Sequence, residues 1–340
     1  MRVVVAGLGN MGRCHALAYH GHPQAEIVGL VNRSDIALPQ PLASYPQLET
    51  FEQGLALKPD LVCIATYSDS HADYAIAAME AGAHVFIEKP LATSVADAQR
   101  VVDTAKRLKR KLVVGYILRH HPSWRRFIAE ARDLGGPYVF RMNLNQQSNG
   151  PTWDTHKALM QTTSPIVDCG VHYVDVMCQI TDSDPIRVSG MGLRLSNEIA
   201  PKMYNYGQLQ VWFADGSIGW YEAGWGPMMS TTAVFVKDVI SPSGAVSIID
   251  QQQTSDDLGG HTKVGSILVH RSSGDRLIEM TNEPSHQELC DTEQAFMINA
   301  IAQDLDLTRH LHDAVQSLGV CLAADESIRS GRPVELGVTQ

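Results

Sequence analysis

A glycine-spaced turn set directly behind the first apolar run constrains this chain more than any other feature. Val3 to Ala6 reads as a strand, Gly7-Leu8-Gly9-Asn10-Met11-Gly12 follows at once, and Arg13 to His20 is compatible with a helix. Each glycine has a physical task in such a unit: Gly7 closes the tight turn, Gly9 lets a pyrophosphate approach the backbone, and Gly12 lets helix pack on strand. The helix N-terminus then offers unsatisfied N–H groups and the positive end of its dipole to phosphates. A glycine-rich turn with no ligand would fit the pattern alone. Its place between a strand and a helix, with a second strand beyond, favours a dinucleotide contacted by Gly7, Gly9, Asn10, Met11 and Gly12.

The rest of the first third repeats the alternation. Arg2–Ala6, Ile27–Val31, Leu61–Ala65, His84–Ile87 and Leu112–Gly115 are near-continuous apolar runs, as strands buried on both faces of a parallel sheet must be. His71–Ala81 and Val95–Leu108 carry helical periodicity between them. Strand and helix in alternation predict an α/β, Rossmann-type, doubly wound parallel sheet over residues 1–118. Beyond, polar and apolar residues alternate in Tyr138–Asn145, Ile186–Leu195, Tyr206–Phe213 and Ser217–Ala223, with hairpin signals at Ala214-Asp215-Gly216 and Ser273-Gly274-Asp275. Residues 119–340 are therefore expected to form an α+β domain with a largely antiparallel, open-faced sheet. Its C-terminal helices, about 292–330, are expected to pack back towards the first domain.

Composition narrows the function classes. With 340 residues and 44% apolar content the chain can bury the cores of two domains. A net charge of −10 without long acidic or basic runs disfavours nucleic acid as the partner and suits a small, weakly charged ligand. Cys14, Cys63, Cys169, Cys178, Cys290 and Cys321 are scattered without a C-x-x-C pair, which reads as reduced thiols rather than a disulfide frame or zinc site. His20 with His22 and His120 with His121 lack the spacing that would put two imidazoles on one helical face, so no metal is expected. No signal sequence or membrane-length apolar run is visible, and the expected location is the cytoplasm.

Three further segments carry chemistry. The residue that meets the adenosine ribose is expected about 20 positions past the glycines, where the chain has Asn32-Arg33-Ser34. No carboxylate stands at Asn32 to repel a 2′-phosphate, and Arg33 supplies a planar cation, so NADP is expected, with NAD possible. Arg33 stacking on adenine is the plain alternative, and Asp35 lies close by. His84-Val85-Phe86-Ile87-Glu88-Lys89-Pro90 ends a strand of the parallel sheet, where such sheets place ligands; on its own Glu88-Lys89 also fits a solvated pair. Asp168-Cys169-Gly170-Val171-His172-Tyr173-Val174-Asp175 opens an apolar helix on which Asp168 and His172 share a face. A core histidine satisfied by a carboxylate is the plain reading of that pair.

Taken together, these segments resemble the glucose-fructose oxidoreductase, inositol dehydrogenase and rhizopine catabolism family (Gfo/Idh/MocA). The resemblance spans nearly the whole chain. It rests on the glycine fingerprint, Thr66 with His71, Glu88-Lys89-Pro90, the Asp168–Asp175 segment, and Asp325-Glu326-Ser327 followed by Gly331 and Val334. It implies nicotinamide-dependent hydride transfer at a carbinol or carbonyl carbon of a sugar or polyol. Lys89 would bind the reacting oxygen, Asp168 would be the substrate-site aspartate, and His172 would move the proton, with Lys89-Pro90 cis. Thr66, His71, Glu88 and Lys89 would join Asn32, Arg33 and Ser34 at the cofactor, while Tyr116, Arg119, Trp153 and His156, with Lys157 nearby, would face substrate or pack the domains. A homo-oligomer, dimer or tetramer, is also implied.

The chain departs from the family pattern at Tyr67, at Arg119-His120-His121-Pro122 and at Thr163-Ser164-Pro165, all bordering the expected pocket, so the substrate does not carry over. An oxidoreductive glycosidase that recycles tightly held cofactor, and a cofactor-sensing protein without catalysis, remain as rival readings.

Overall fold

The computed structural model describes residues 1–230, 236–249 and 264–337. They form two compact units, one from residues 1–120 and 284–315, the other from 121–283 and 316–340. The expected division at 118/119 assigned 284–315 to the second domain; its packing places that stretch with the first unit.

In the first unit β1 (Arg2–Ala6), α1 (Asn10–Gly21), β2 (Glu26–Val31), β3 (Gln47–Leu48), α2 (Phe51–Ala56), β4 (Leu61–Ile64), α3 (His71–Glu80), β5 (His84–Glu88), α4 (Val95–Leu108) and β6 (Leu112–Gly115) follow in turn. All strand pairs are parallel, in the order β3-β2-β1-β4-β5-β6. This is the doubly wound order whose direction reverses between β1 and β4, the place where such sheets bind ligands. Residues of β1, β4, β5 and β6 such as Val4, Val62, Phe86 and Val113 have no exposed surface, as their apolar runs require. The α4 boundaries match the periodicity because both ends are marked. Ser94 caps the Asp97 N–H, and Lys109 ends the helix in the left-handed region at φ 53°. The short β3 and α2 are not evident from periodicity, though Thr50 and Gln53 form a full capping box.

The second unit contains α5 (Pro122–Leu134), β7 (Val139–Gln147), α6 (Gly150–Leu159), α7 (Pro165–Thr181), β8 (Pro185–Leu193), β9 (Tyr206–Phe213), β10 (Ile218–Gly226), β11 (Lys237–Ser241), β12 (Gly244–Ile249), β13 (Ser266–Arg271) and β14 (Gly274–Glu279). The helix α8 (His286–Ala302) returns to the first unit, α9 (Thr308–Ser330) begins there and ends in the second, and β15 (Val334–Glu335) closes the sheet. Among the described residues this sheet runs β14-β13-β12-β11-β7-β10-β9-β8-β15 and is antiparallel except where β10 meets β7. Both hairpin signals are turns, with Gly216 at φ 87° and Gly274 at φ 125°.

One face of this sheet meets α7: a Cβ on Gly219 would lie 3.0 Å from Met177 Sδ, and one on Gly170 would lie 3.1 Å from the Tyr221 ring. The opposite face, through the register Arg187–Trp212–Ile218 and Ser189–Gln210–Trp220, is partly or fully exposed. No described helix is long and apolar enough to cross a membrane.

Candidate active site

The glycine turn is built as its spacing demands. Gly7 sits at φ 86°, and a Cβ there would lie 2.4 Å from the Ala65 carbonyl oxygen; one on Gly12 would lie 1.8 Å from that of Gly7. A Cβ on Gly9 would meet nothing within 4 Å, so the exposed side of the turn is open to a ligand. Gly9 also precedes α1 without any side-chain cap, leaving the helix's first N–H groups available for pyrophosphate. These features fit the cofactor that the spacing implies.

Asn32, at the end of β2, accepts from the Leu8 N–H at 3.1 Å and donates to the Ser34 carbonyl at 2.7 Å. It thus fixes the turn, while Arg33 and Ser34 are exposed beside it. Arg13, which spacing alone did not single out, donates to the Leu8 carbonyl at 3.0 Å and ties helix to turn.

At the end of β5, Glu88 is buried and holds two partners: His15 at 2.6 Å and the Lys89 backbone N–H at 3.1 Å. Burial pushes the Glu88 carboxyl up, but the His15 hydrogen bond, helped by the charges of His15 and Lys89, outweighs it and keeps the group below its ordinary value. His15 is itself held by Gln294 at 2.8 Å, and Tyr19 donates to the same amide. The Lys89-Pro90 bond is cis, and Lys89 is half-buried.

His71 lies 2.7 Å from the Pro90 carbonyl and 3.1 Å from that of Thr66, with 1% exposure. Burial lowers its pKa. With one N–H on its neutral ring, His71 donates to one of these two carbonyls and lies against the other, between the turn after β4 and the Lys89-Pro90 segment. Thr66 stays at the turn, its hydroxyl 2.7 Å from Ser70.

Two further expected substrate residues of this unit, Tyr116 and Arg119, have partners within it. Tyr116 has no exposed surface and packs edge-on to His310. Arg119 pairs with Asp313 at 2.8 Å, which also binds Arg309 at 2.7 Å. Both residues consolidate the unit's interior, because His310 and Asp313 arrive on α9, far away in sequence.

In the second unit, Thr163-Ser164-Pro165 proves to be a helix start. The Ser164 hydroxyl accepts from the Val167 N–H at 3.1 Å, and proline occupies the first turn, where no donor is missed. The α7 helix is then buried along nearly its whole length, with Asp168 and His172 among its few partly exposed positions, one turn apart on the same face.

Asp168 has a neighbour that spacing does not show. His156 stacks on Trp225 at 4.3 Å, lies 3.0 Å from the Ser148 hydroxyl, and feels the Asp168 charge. Burial nevertheless lowers its pKa. Gln146 accepts from Trp225 Nε1 at 2.8 Å and from the Cys169 thiol at 3.7 Å. The buried Trp153 donates to Glu198 at 3.3 Å, and the half-buried Lys157 pairs with Glu198 at 2.8 Å and Asp154 at 3.0 Å.

Asp325, from the closing motif, accepts from Ser164 at 2.8 Å and Tyr204 at 2.6 Å. That motif therefore anchors the start of α7.

Residues 1–116 match the family described as "Oxidoreductase family, NAD-binding Rossmann fold", and residues 125–232 match its "GFO/IDH/MocA C-terminal domain". The chain belongs to the Gfo/Idh/MocA family. It is 27% identical to scyllo-inositol 2-dehydrogenase (NAD(+)) of Bacillus subtilis (strain 168) over 82% of this chain and 78% of that relative. It is 29% identical to D-glucoside 3-dehydrogenase of Escherichia coli (strain K12), a match that spans 52% of each. Among solved structures, scyllo-inositol dehydrogenase from Lactobacillus casei, crystallised with NAD(H) and scyllo-inositol, shares the fold with a TM-score of 0.77 at 18% identity, covering 98% of both chains.

Within this Gfo/Idh/MocA chain the residues missed by sequence reasoning are His15, Gln294, Gln146 and Trp225, which reach the motif residues, directly or through one another, from distant parts of the sequence. No spacing rule links them.

Proposed function

We propose that this chain is a nicotinamide-dependent dehydrogenase, or the corresponding reductase, acting on a CH–OH group of a sugar or polyol, with Lys89, Asp168 and His172 as its working groups. The observation that carries this reading is α7: a helix buried almost throughout that presents a carboxylate and an imidazole, one turn apart, on a partly exposed strip. Curated relatives named as inositol and glucoside dehydrogenases support the substrate class.

A bound nicotinamide supplies the hydride acceptor, the chemistry that protein side chains lack. The chain's own groups then have the proton to manage. His172 takes the hydroxyl proton as the carbinol is oxidised and returns it in the reductive direction, since imidazole changes charge near neutral pH. Lys89 stabilises the negative charge that develops on that oxygen. Asp168 orients the imidazole one turn away and binds a substrate hydroxyl.

For the cofactor we propose NADP, with NAD the family's general expectation. Asn32 is uncharged and occupied by the turn, and exposed Arg33 next to it supplies the cation for a 2′-phosphate. The exposed sheet face that carries Trp212, Ile218 and Trp220 is proposed as the self-association surface of a homo-oligomer.

The test is cofactor reduction by the full chain against sugars, polyols and glycosides, with NADP and NAD in parallel and released sugar quantified. Net reduction with a sugar or polyol supports the proposal. Glycoside cleavage without net reduction replaces it with an oxidoreductive glycosidase, and cofactor binding without turnover in either direction replaces it with a sensor.

A further inference from the structure

The packing of α1 against α8 brings together three groups that the sequence keeps far apart. Cys14 lies on α1, and His286 and Cys290 lie on α8, four residues apart and so on one helical face. The two sulfurs and one imidazole nitrogen all lie within 4.8 Å of one another, and Cys290 Sγ is 3.8 Å from His286 Nε2. The Gln287 side chain donates to the Cys14 carbonyl at 2.9 Å and holds the helices in this register. Cys290 is fully buried, whereas Cys14 and His286 are partly exposed, so the cluster has a closed base and an open mouth.

We infer that Cys14, His286 and Cys290 form a zinc site, separate from the dehydrogenase residues, that staples α8 to α1. A tetrahedral zinc with sulfur at about 2.3 Å and nitrogen at about 2.0–2.1 Å sets a sulfur–nitrogen edge of about 3.6 Å, and the observed separation of 3.8 Å is within a few tenths of an ångström of it. Two thiolates and an imidazole are a soft donor set that favours zinc over magnesium or calcium. Two thiolates also balance the ion's charge, and the open mouth leaves a fourth position for water. The residue types alone read as scattered core thiols because the set closes only when the two helices meet.

The test uses the full chain, freed of metal by chelator under reducing conditions, with zinc chloride and cobalt chloride as probes. Zinc is expected to bind at about one equivalent per chain, to survive competition by a chromogenic chelator, and to raise the melting temperature. Cobalt is expected to give a thiolate-to-metal charge-transfer band. Cys14→Ser and His286→Ala, both at partly exposed positions, should each weaken zinc at least about tenfold and abolish the band, with circular dichroism confirming the fold. Absence of competitive zinc binding overturns the inference, as does binding that both variants leave unchanged. A Cys14–Cys290 disulfide found by thiol titration and mass spectrometry of protein purified without reductant would also overturn it, replacing the metal site with a covalent link. None of these readouts uses turnover, so the result stands apart from that of the dehydrogenase proposal.

Discussion

At the scale of single residues, Arg33, Gly12 and His71 show three different kinds of constraint. Arg33 is exposed, so removing it costs little stability and its effect falls on the cofactor. Arg33→Ala should weaken NADP by about 10-fold or more, the value of a charge-assisted phosphate contact of roughly 1.5–3 kcal/mol, and leave NAD nearly unchanged in binding titrations. Equal losses for both would make it an adenine stacker. Gly12→Ala would place a methyl group 1.8 Å from the Gly7 carbonyl oxygen, against backbone that cannot rotate away. It should cost about 1–3 kcal/mol by denaturant unfolding. Gly12 was legible in sequence because its partner Gly7 belongs to the same strand–turn–helix, and Gly7 because its turn conformation is local, although its closest neighbour, Ala65, lies after β4. His71 was legible as a motif member but not in its placement, since what it meets at Thr66 and Pro90 are carbonyl groups, which leave no trace in residue type.

At the scale of elements, the seam between α1, β5 and α8 is unusually polar for a buried interface. Glu293 is fully buried, and both of its carboxyl oxygens lack a hydrogen-bond partner among the described residues. Burial first, and the Glu88 charge second, push its pKa well above the ordinary value of 4.5. An acid whose folded pKa is raised binds more protons folded than unfolded, so its contribution to stability falls as pH rises above the unfolded value. Glu293→Gln removes that loss. The variant's melting temperature should gain on the wild type between pH 5 and pH 8, read by calorimetry across about that range; a gap that stays constant with pH would show that Glu293 does not titrate in this way.

The same seam marks the limit of sequence reading for elements. The boundaries of α4 and β9 are matched by periodicity, because local pattern and cap decide them. The expected helix from Thr292 begins earlier, at His286 behind the Ser285–Glu288 capping box, and its apolar stripe is interrupted by the Cys290, Glu293 and Gln294 that face α1 and β5. Similarly, Thr163-Ser164-Pro165 departs from the family pattern in sequence yet supplies the cap and first turn of α7.

At the scale of the whole molecule, the two fold classes were legible, and the division expected after residue 118 lies beside the one at 120/121, whereas the limits of the stretch 284–315 that joins the first unit were not. Alternating apolar runs specify the parallel sheet, and alternating residues specify the antiparallel one. The assignment of 284–315 to the first unit depends on long-range packing such as the Lys111–Asp304 and Arg119–Asp313 pairs, which no local signal encodes. The exposed sheet face leads to a prediction at this scale: replacing Trp212 and Trp220 together with Glu should shift the chain to monomer in light scattering, while unchanged mass would remove that face from the assembly.

The central claim concerns His172, and it is tested most directly by comparing wild-type and His172→Ala protein in the oxidation of a sugar or polyol that the wild type turns over, with cofactor affinity measured separately. Turnover should fall by about 10²–10⁴-fold, the usual worth of a positioned proton-transfer group, while cofactor affinity stays unchanged. Undiminished turnover in His172→Ala would contradict the mechanism.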